Sequence, residues 1–293
     1  MTTATKVQRN PKDYEGLKPV WCPGCGDFGV LNALKKVLAD LDLDPKDIAL
    51  VTGIGCSSQI SSFLKAYAFH GVHGRLLPVA TAIKLMNPRL TVIGAGGDGD
   101  GYAIGLSHFL HAVRRNVDIT YIVMNNQVYG LTKGQASPTA APGFVTSSTP
   151  QGTKERDVDG VKLALAAGVT FVARGFSGDV PQLVKLFKEA ILHPGFALVD
   201  VLSPCVTYNR VNTYDWFREN IINLDEDPEY DPTDRVRVLA KIMTLDRIPT
   251  GLIFKDPSSK PYSRLVLKDP DSPPALEDLR VRPELAELQE QFV

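Results

Sequence analysis

Two oxygen-bearing side chains, Asp98 and Asn126, each stand just past a short apolar run. Leu90–Ala95 runs into Gly96-Gly97-Asp98-Gly99, and Ile119–Met124 runs into Asn125-Asn126. In an open parallel sheet, ligands bind beyond the carboxyl ends of the strands, so both side chains would project into one crevice. Mg2+ takes oxygen ligands octahedrally and is commonly completed by phosphate. A carboxylate, an amide oxygen and a backbone carbonyl, with phosphate oxygens and a water, would fill that shell. Gly97 and Gly99 carry no Cβ and would let the backbone approach closely. A helix starting near Gly101 would direct its free N–H groups toward a diphosphate. Either motif alone also reads as a turn or a helix cap. Their separation fits a strand, a crossover helix and a second strand, which favours the paired site.

The four cysteines are the second group with chemistry to offer. Cys22 and Cys25 form a Cys-x-x-Cys pair, and Cys56 and Cys205 lie farther along the chain. Four thiolates suit a [4Fe–4S] cluster. They equally suit a tetrahedral zinc site, and the pair alone could be a redox motif. Unliganded buried thiols are a third reading. Spacing leaves these open.

The elements that must position these groups alternate along the chain. Residues 27–41 read as a helix, with Val30, Leu31, Leu34, Val37 and Leu38 on one face. Strands are predicted at 48–52, 90–95, 119–124, 170–174 and 197–202. Further helices are predicted at 57–67, 102–115, 161–167 and 180–192, with Ile104, Leu106, Phe109, Leu110 and Val113 as core candidates of the second. This alternation predicts an α/β fold, a doubly wound, mainly parallel sheet with helices on both faces. Residues 1–20 read as an irregular arm, 21–223 as the domain, and 224–293 as an extended C-terminal tail packing on a partner subunit. Residues 127–160 form a long aperiodic stretch, and such loops are usually functional.

Composition narrows the class. A chain of 293 residues with 44% hydrophobic and 22% charged content is that of an ordinary globular protein. A net charge of -1 gives no support for nucleic-acid binding. Met1 to Asn10 lacks an apolar core, so no secretory signal is expected. No apolar run approaches the roughly 18 residues of a membrane span. The expectation is a cytoplasmic protein.

Gly97-Asp98-Gly99 followed by Asn125-Asn126 resembles the signature of thiamine-diphosphate enzymes. The wider pattern is similar to the β subunit of 2-oxoacid:ferredoxin oxidoreductases, over roughly residues 15–220. It is carried by Trp21-Cys22-Pro23-Gly24-Cys25-Gly26, Gly53-Ile54-Gly55-Cys56-Ser57, His73-Gly74-Arg75 and Tyr129-Gly130-Leu131-Thr132-Lys133-Gly134-Gln135. The resemblance implies thiamine diphosphate with Mg2+ held by Asp98, Asn126 and the backbone carbonyl of Val128. It places Ile54, Gly55, Cys56, Ser57 and His73 against the cofactor. Gly99 and Asp100 would contact the diphosphate from one side, Gly130 and Leu131 from the other. It makes Cys22, Cys25, Cys56 and Cys205 the ligands of one [4Fe–4S] cluster.

The activity so implied is the coenzyme A-dependent oxidative decarboxylation of a 2-oxoacid, reversible in principle, with electrons passed to ferredoxin. The form of the loop around Lys133 looks most like members acting on 2-oxoglutarate (2-oxoglutarate synthase) or on a broad range of 2-oxoacids, pyruvate included. A cationic Lys133 could pair with a second carboxylate, although a plain surface lysine is the alternative. Gln59 departs from the lysine expected there. No residue matches the glutamate that activates the aminopyrimidine, which in the family belongs to an α subunit. The chain would then be half an active site in a heterodimer or dimer of heterodimers. Two rivals are a non-redox thiamine enzyme, which leaves the cysteines idle, and a zinc-stabilised scaffold subunit.

Overall fold

Short, fully buried apolar runs build the sheet. In the computed structural model, which describes residues 8–267, 269 and 273–276, every residue of β1 (Ile48–Thr52) is buried. The same holds for β4 (Thr120–Asn125), β7 (Phe171–Phe176) and β8 (Ala197–Leu202). Strands covered on both faces read as continuous apolar runs, not as alternation. With β2 (Tyr67–His70), β3 (Thr91–Gly97), β9 (Ile221–Asn223) and β10 (Ile248–Lys255), they form an eight-stranded sheet of order β2-β1-β3-β4-β8-β7-β10-β9. Pairing is parallel from β2 through β7, and β10 runs antiparallel to β7. A separate small ribbon pairs β5 (Val128–Tyr129) with β6 (Gln135–Ala136) in antiparallel fashion.

Helices cover both faces. On one side α1 (Asp27–Asp40), α2 (Ile60–Phe63) and α6 (Val180–Ile191) pack on Leu50, Ile93, Ile122 and Val199. On the other, α3 (Leu76–Met86), α4 (Leu106–Arg115), α5 (Gly160–Ala166) and α8 (Arg235–Thr244) pack on Val51, Val92, Val123 and Leu198. The short α7 (Tyr214–Asn220) buries Phe217 against Phe176 and Leu202. The doubly wound sheet is therefore present, and all five residues expected on the inner face of α1 are buried. Sheet growth reverses at β1: the chain adds β2 on one side and β3 on the other. The carboxyl ends of β1, β3 and β4 flank that reversal, where open sheets hold their ligands.

Four expectations are corrected. The predicted helix 57–67 is a 3-10 turn (Ser57–Gln59), the single turn α2 and the exposed edge strand β2. β2 pairs with β1 alone, so no alternation of burial marks it. Helix α3 is an addition to the predicted elements; its Pro78 falls in the first turn, where a missing N–H costs little. The helix expected from Tyr102 begins with a π-helical turn, Asp100–Ile104. The extra residue rotates what precedes α4, so Ile104 is exposed while Phe109 and Val113 stay buried.

The extended tail is the largest difference. Residues 224–267 fold back onto the domain: β10 joins the sheet through Gly251↔Arg174, and β9 and β10 pair through Ile248↔Ile221 across the boundary expected at 223. Val238, Ile242, Ile253 and Phe254 are buried in the core. Apolar residues dispersed among Asp and Pro supplied the burial that the punctuation concealed. Residues 277–293 and 1–7 of the expected tail and arm lie outside the described residues. What is described of the arm is anchored, with the buried Tyr14 hydroxyl 2.6 Å from Leu43 O. No helix among the described residues is long and apolar enough to cross a membrane.

Candidate active site

Three strand ends supply the centre of a cavity of about 250 Å3. β3 delivers Asp98, β4 delivers Asn126, and the loop after β1 delivers Ile54 to Ser57. Asp98 is 1% exposed, and its Oδ2 accepts 2.5 Å hydrogen bonds from the Ser137 and Thr139 hydroxyls. Burial pushes the Asp98 carboxyl above its usual range, and these two donors oppose that. The buried Asn126 folds back, with Oδ1 accepting from the Val128 N–H at 3.1 Å. Asn209 holds the Asn126 carbonyl from the other side at 3.0 Å. Gln127 between them adopts φ 62°, a left-handed conformation that sharpens the turn. The donor set is carboxylate, amide and carbonyl oxygen around one cavity, which is what Mg2+ accepts.

Asp100 organises the opposite wall. Its Oδ1 accepts from the Ile54 N–H (2.9 Å), the Gly74 N–H (2.8 Å) and His73 Nδ1 (2.9 Å). One carboxylate oxygen thus ties the loop after β1 to the turn after β2. Gly53 permits this, because a Cβ there would lie 2.1 Å from Asp100 Oδ2. Asp100, which the family resemblance places against the diphosphate, lines the cavity, and its Oδ1 also positions the two loops.

The thiols stand next door. Cys22, Cys25, Cys56 and Cys205 line a second cavity of about 180 Å3, with Trp21, Gln59 and Tyr208. It shares Cys56, Asn126, Gly130 and Leu131 with the first cavity. The Trp21 indole N–H donates to Cys56 O at 2.7 Å and fixes that loop. Gly130 lies flat against two sulfurs: a Cβ there would be 3.5 Å from Cys56 Sγ and 3.7 Å from Cys205 Sγ. Burial pushes the Cys56 thiol up to about 11 and raises Cys25 as well. Such thiols keep their protons unless a metal displaces them. Among the described residues no three His, Cys, Asp or Glu side chains converge on a point fit for one metal ion. The buried Asp27 sits beside them, its carboxyl pushed up by burial to about 6, with Ser203 donating to Oδ1 at 2.7 Å.

Known proteins match this chain along most of its length. Residues 53–201 match the family model of the thiamine pyrophosphate enzyme, C-terminal TPP binding domain. Residues 205–268 match the model for the C-terminal part of the pyruvate ferredoxin oxidoreductase beta subunit. A 2-oxoacid:ferredoxin oxidoreductase subunit beta of Saccharolobus solfataricus is 45% identical over 271 residues, covering 87% of this chain and 89% of that one. The chain belongs to the β subunits of the 2-oxoacid:ferredoxin oxidoreductases. The 2-oxoglutarate synthase subunit KorB of Methanocaldococcus jannaschii is 43% identical over 71% of this β subunit and 76% of its own length. A solved structure is also similar: 2-oxoglutarate:ferredoxin oxidoreductase from Magnetococcus marinus with 2-oxoglutarate, coenzyme A and succinyl-CoA bound. Its TM-score is 0.85 at 36% identity, covering 98% of this chain and 91% of that one.

The fold of the β subunit gathers Ile54, Gly55, Cys56, Ser57, His73, Asp98, Gly99, Asp100, Asn126, Val128, Gly130 and Leu131 around the first cavity. Lys133 is not among its lining; it is exposed, two residues past Leu131, with φ 77°. Gln59 lines the thiol cavity and not the first one. Sequence reasoning assigned no role to Ser137 and Thr139, which hold Asp98, or to Tyr129 and Thr132, which line the cavity. Ser137 and Thr139 sit in the aperiodic 127–160 stretch, where only its length hinted at function.

Proposed function

We propose that this β subunit, closed by an α subunit in the cytoplasm, takes part in the reversible, coenzyme A-dependent oxidative decarboxylation of 2-oxoglutarate to succinyl-CoA. The observation that carries this reading is the shared wall: Cys56, Asn126, Gly130 and Leu131 border both the oxygen-lined cavity and the thiol cavity. Asp98, Asn126 and the Val128 carbonyl would hold Mg2+, and the Ile54–Ser57 loop, His73, Gly99, Gly130 and Leu131 would hold thiamine diphosphate. When bound, thiamine diphosphate supplies the electron sink that 2-oxoacid decarboxylation needs. Asp100 would keep Ile54 and His73 in place against it. The four cysteines would hold a [4Fe–4S] cluster through which electrons leave to ferredoxin. The same four thiolates would also accept zinc; membership of the ferredoxin oxidoreductase family supports the cluster.

The 2-oxoglutarate assignment is supported by the names of the Methanocaldococcus and Magnetococcus relatives and by Lys133. A non-glycine residue in a left-handed conformation beside a site is costly and is tolerated where it serves a purpose. Its cation would face the distal carboxylate. The Saccharolobus relative, named only for 2-oxoacids, favours a second reading: a broad-range enzyme that also takes pyruvate. Steady-state assay of the reconstituted αβ enzyme with a panel of 2-oxoacids separates the two. A preference for 2-oxoglutarate over pyruvate supports the first; comparable kcat/KM values select the second; no turnover of any 2-oxoacid refutes both.

A further inference from the structure

We propose that Ser137 and Thr139 are positioning residues that set the Mg2+ affinity of the site by locking the Asp98 carboxylate in one orientation. The inference rests on the magnesium assignment above and adds residues that lie outside the ligand set. Both hydroxyls reach the same oxygen, Asp98 Oδ2, at 2.5 Å each, and lie 3.0 Å from one another. Two side-chain donors on one carboxylate oxygen, with a backbone hydrogen bond from Asn126 to the same group, fix its plane and leave Oδ1 without a side-chain donor among the described residues. Both side chains are 5% exposed, so water does not compete for them. Their backbone is fixed as well: Pro138 separates them, and Val158 N–H donates to the Pro138 carbonyl at 2.8 Å.

Behind Thr139 the contacts run on into the sheet. Its Oγ1 lies 3.0 Å from Asn125 Oδ1, so its single proton is shared between Asp98 and Asn125, whose amide N–H donates to the fully buried Asp200 at 3.4 Å. Asp200 is held by Arg174 at 3.3 Å and by the Tyr102 hydroxyl at 2.8 Å. Arg174 reaches Asp159, which caps α5, at 2.7 Å. Thr139 therefore sits against a rigid buried network on β4, β7 and β8, and it passes that rigidity to Asp98. Partners of this kind behind a metal ligand typically carry about 10–100-fold in metal affinity.

The test measures thiamine diphosphate binding to the full αβ complex by calorimetry across a Mg2+ series, so no turnover is needed. Thr139→Val keeps the shape and removes the hydroxyl; it should raise the Mg2+ needed for half-maximal binding about tenfold. Thr139→Ser should restore it to within about twofold, since the hydroxyl returns. Ser137→Ala should also raise it about tenfold, and Ser137→Ala/Thr139→Val about a hundredfold. Should Thr139→Val melt early, Ser137→Ala and Thr139→Ser carry the comparison, because they disturb packing least. An unchanged Mg2+ requirement in Ser137→Ala and the double variant, with Asp98→Ala unable to bind, overturns this inference alone. Normal binding by Asp98→Ala overturns the magnesium assignment and this inference with it.

Discussion

At the residue scale the site divides into groups that would touch ligand and groups that hold those in place. Asp98 belongs to the first. Asp98→Ala should abolish Mg2+-dependent retention of thiamine diphosphate while the protein stays soluble, measured by cofactor content after gel filtration; full cofactor content would show that the metal is held elsewhere. Lys133 is exposed, so its substitution should spare the fold. Lys133→Ala should lower kcat/KM for 2-oxoglutarate about tenfold more than for pyruvate, the loss expected when a charged partner goes unpaired at a partly wet site. An equal loss on both substrates would remove the specificity role.

At the element scale, the cavity exists because three loops are pinned to one another. Asp100, at the head of the π-helical turn, ties the loop after β1 to the turn after β2. Gly53 is the close approach that allows it. A Cβ there would stand 2.1 Å from Asp100 Oδ2, and the donors on Oδ1 keep that carboxylate from swinging away. Gly53→Ala should therefore weaken cofactor binding strongly, with a smaller effect on thermal stability; cofactor affinity equal to the parent's would show that the loop adapts. The sheet extension makes a separate claim. Ile253 of β10 is fully buried. Ile253→Ala should cost about 2–5 kcal/mol in denaturant unfolding of the β subunit, the range for core truncations. No loss would mean that β10 is peripheral to the domain.

At the scale of the whole molecule, stability should depend on pH through His193. The ring is 3% exposed, its Nε2 is 2.8 Å from Thr170 Oγ1, and burial, with Lys255 nearby, lowers it to about 4. The folded protein thus resists protonation that the unfolded chain accepts below its ordinary value of about 6.5. Stability present above that value should fall as pH drops toward about 4. Asp27, raised to about 6, works in the opposite sense over the same window, so the difference between parent and His193→Gln isolates the histidine. The melting temperature of His193→Gln should fall less on acidification; parallel curves would rule the effect out. The thiol cavity makes the other whole-molecule claim. Anaerobic purification with the α subunit should give a brown protein with about four irons per β chain, as one cubane requires. Zinc in place of iron would exclude the redox reading.

Residues alone determined the parts that depend on local pattern. Buried strands announce themselves as apolar runs, α1 as a 3.6-residue period, and Asp98 and Asn126 as oxygen groups at strand ends; each is a property of adjacent positions. The Cys-x-x-Cys pair and Gly97-Asp98-Gly99 were legible for the same reason. What needed the tertiary structure depends on contacts between distant segments. The hydroxyls of Ser137 and Thr139 meet Asp98 across some forty positions of chain, and no spacing rule records that. The three donors that meet on Asp100 Oδ1 come from Ile54, His73 and Gly74, 26 to 46 positions earlier in the chain. The tail from 224 reads as extended because Asp and Pro break periodicity. It folds because the antiparallel edge of β7 offers unpaired backbone groups and an apolar face that Ile253 and Phe254 cover. The Asp98–Asn126 pair was thus foreseeable as chemistry, while its rigidity and its shared wall with the cysteines were decided only by packing.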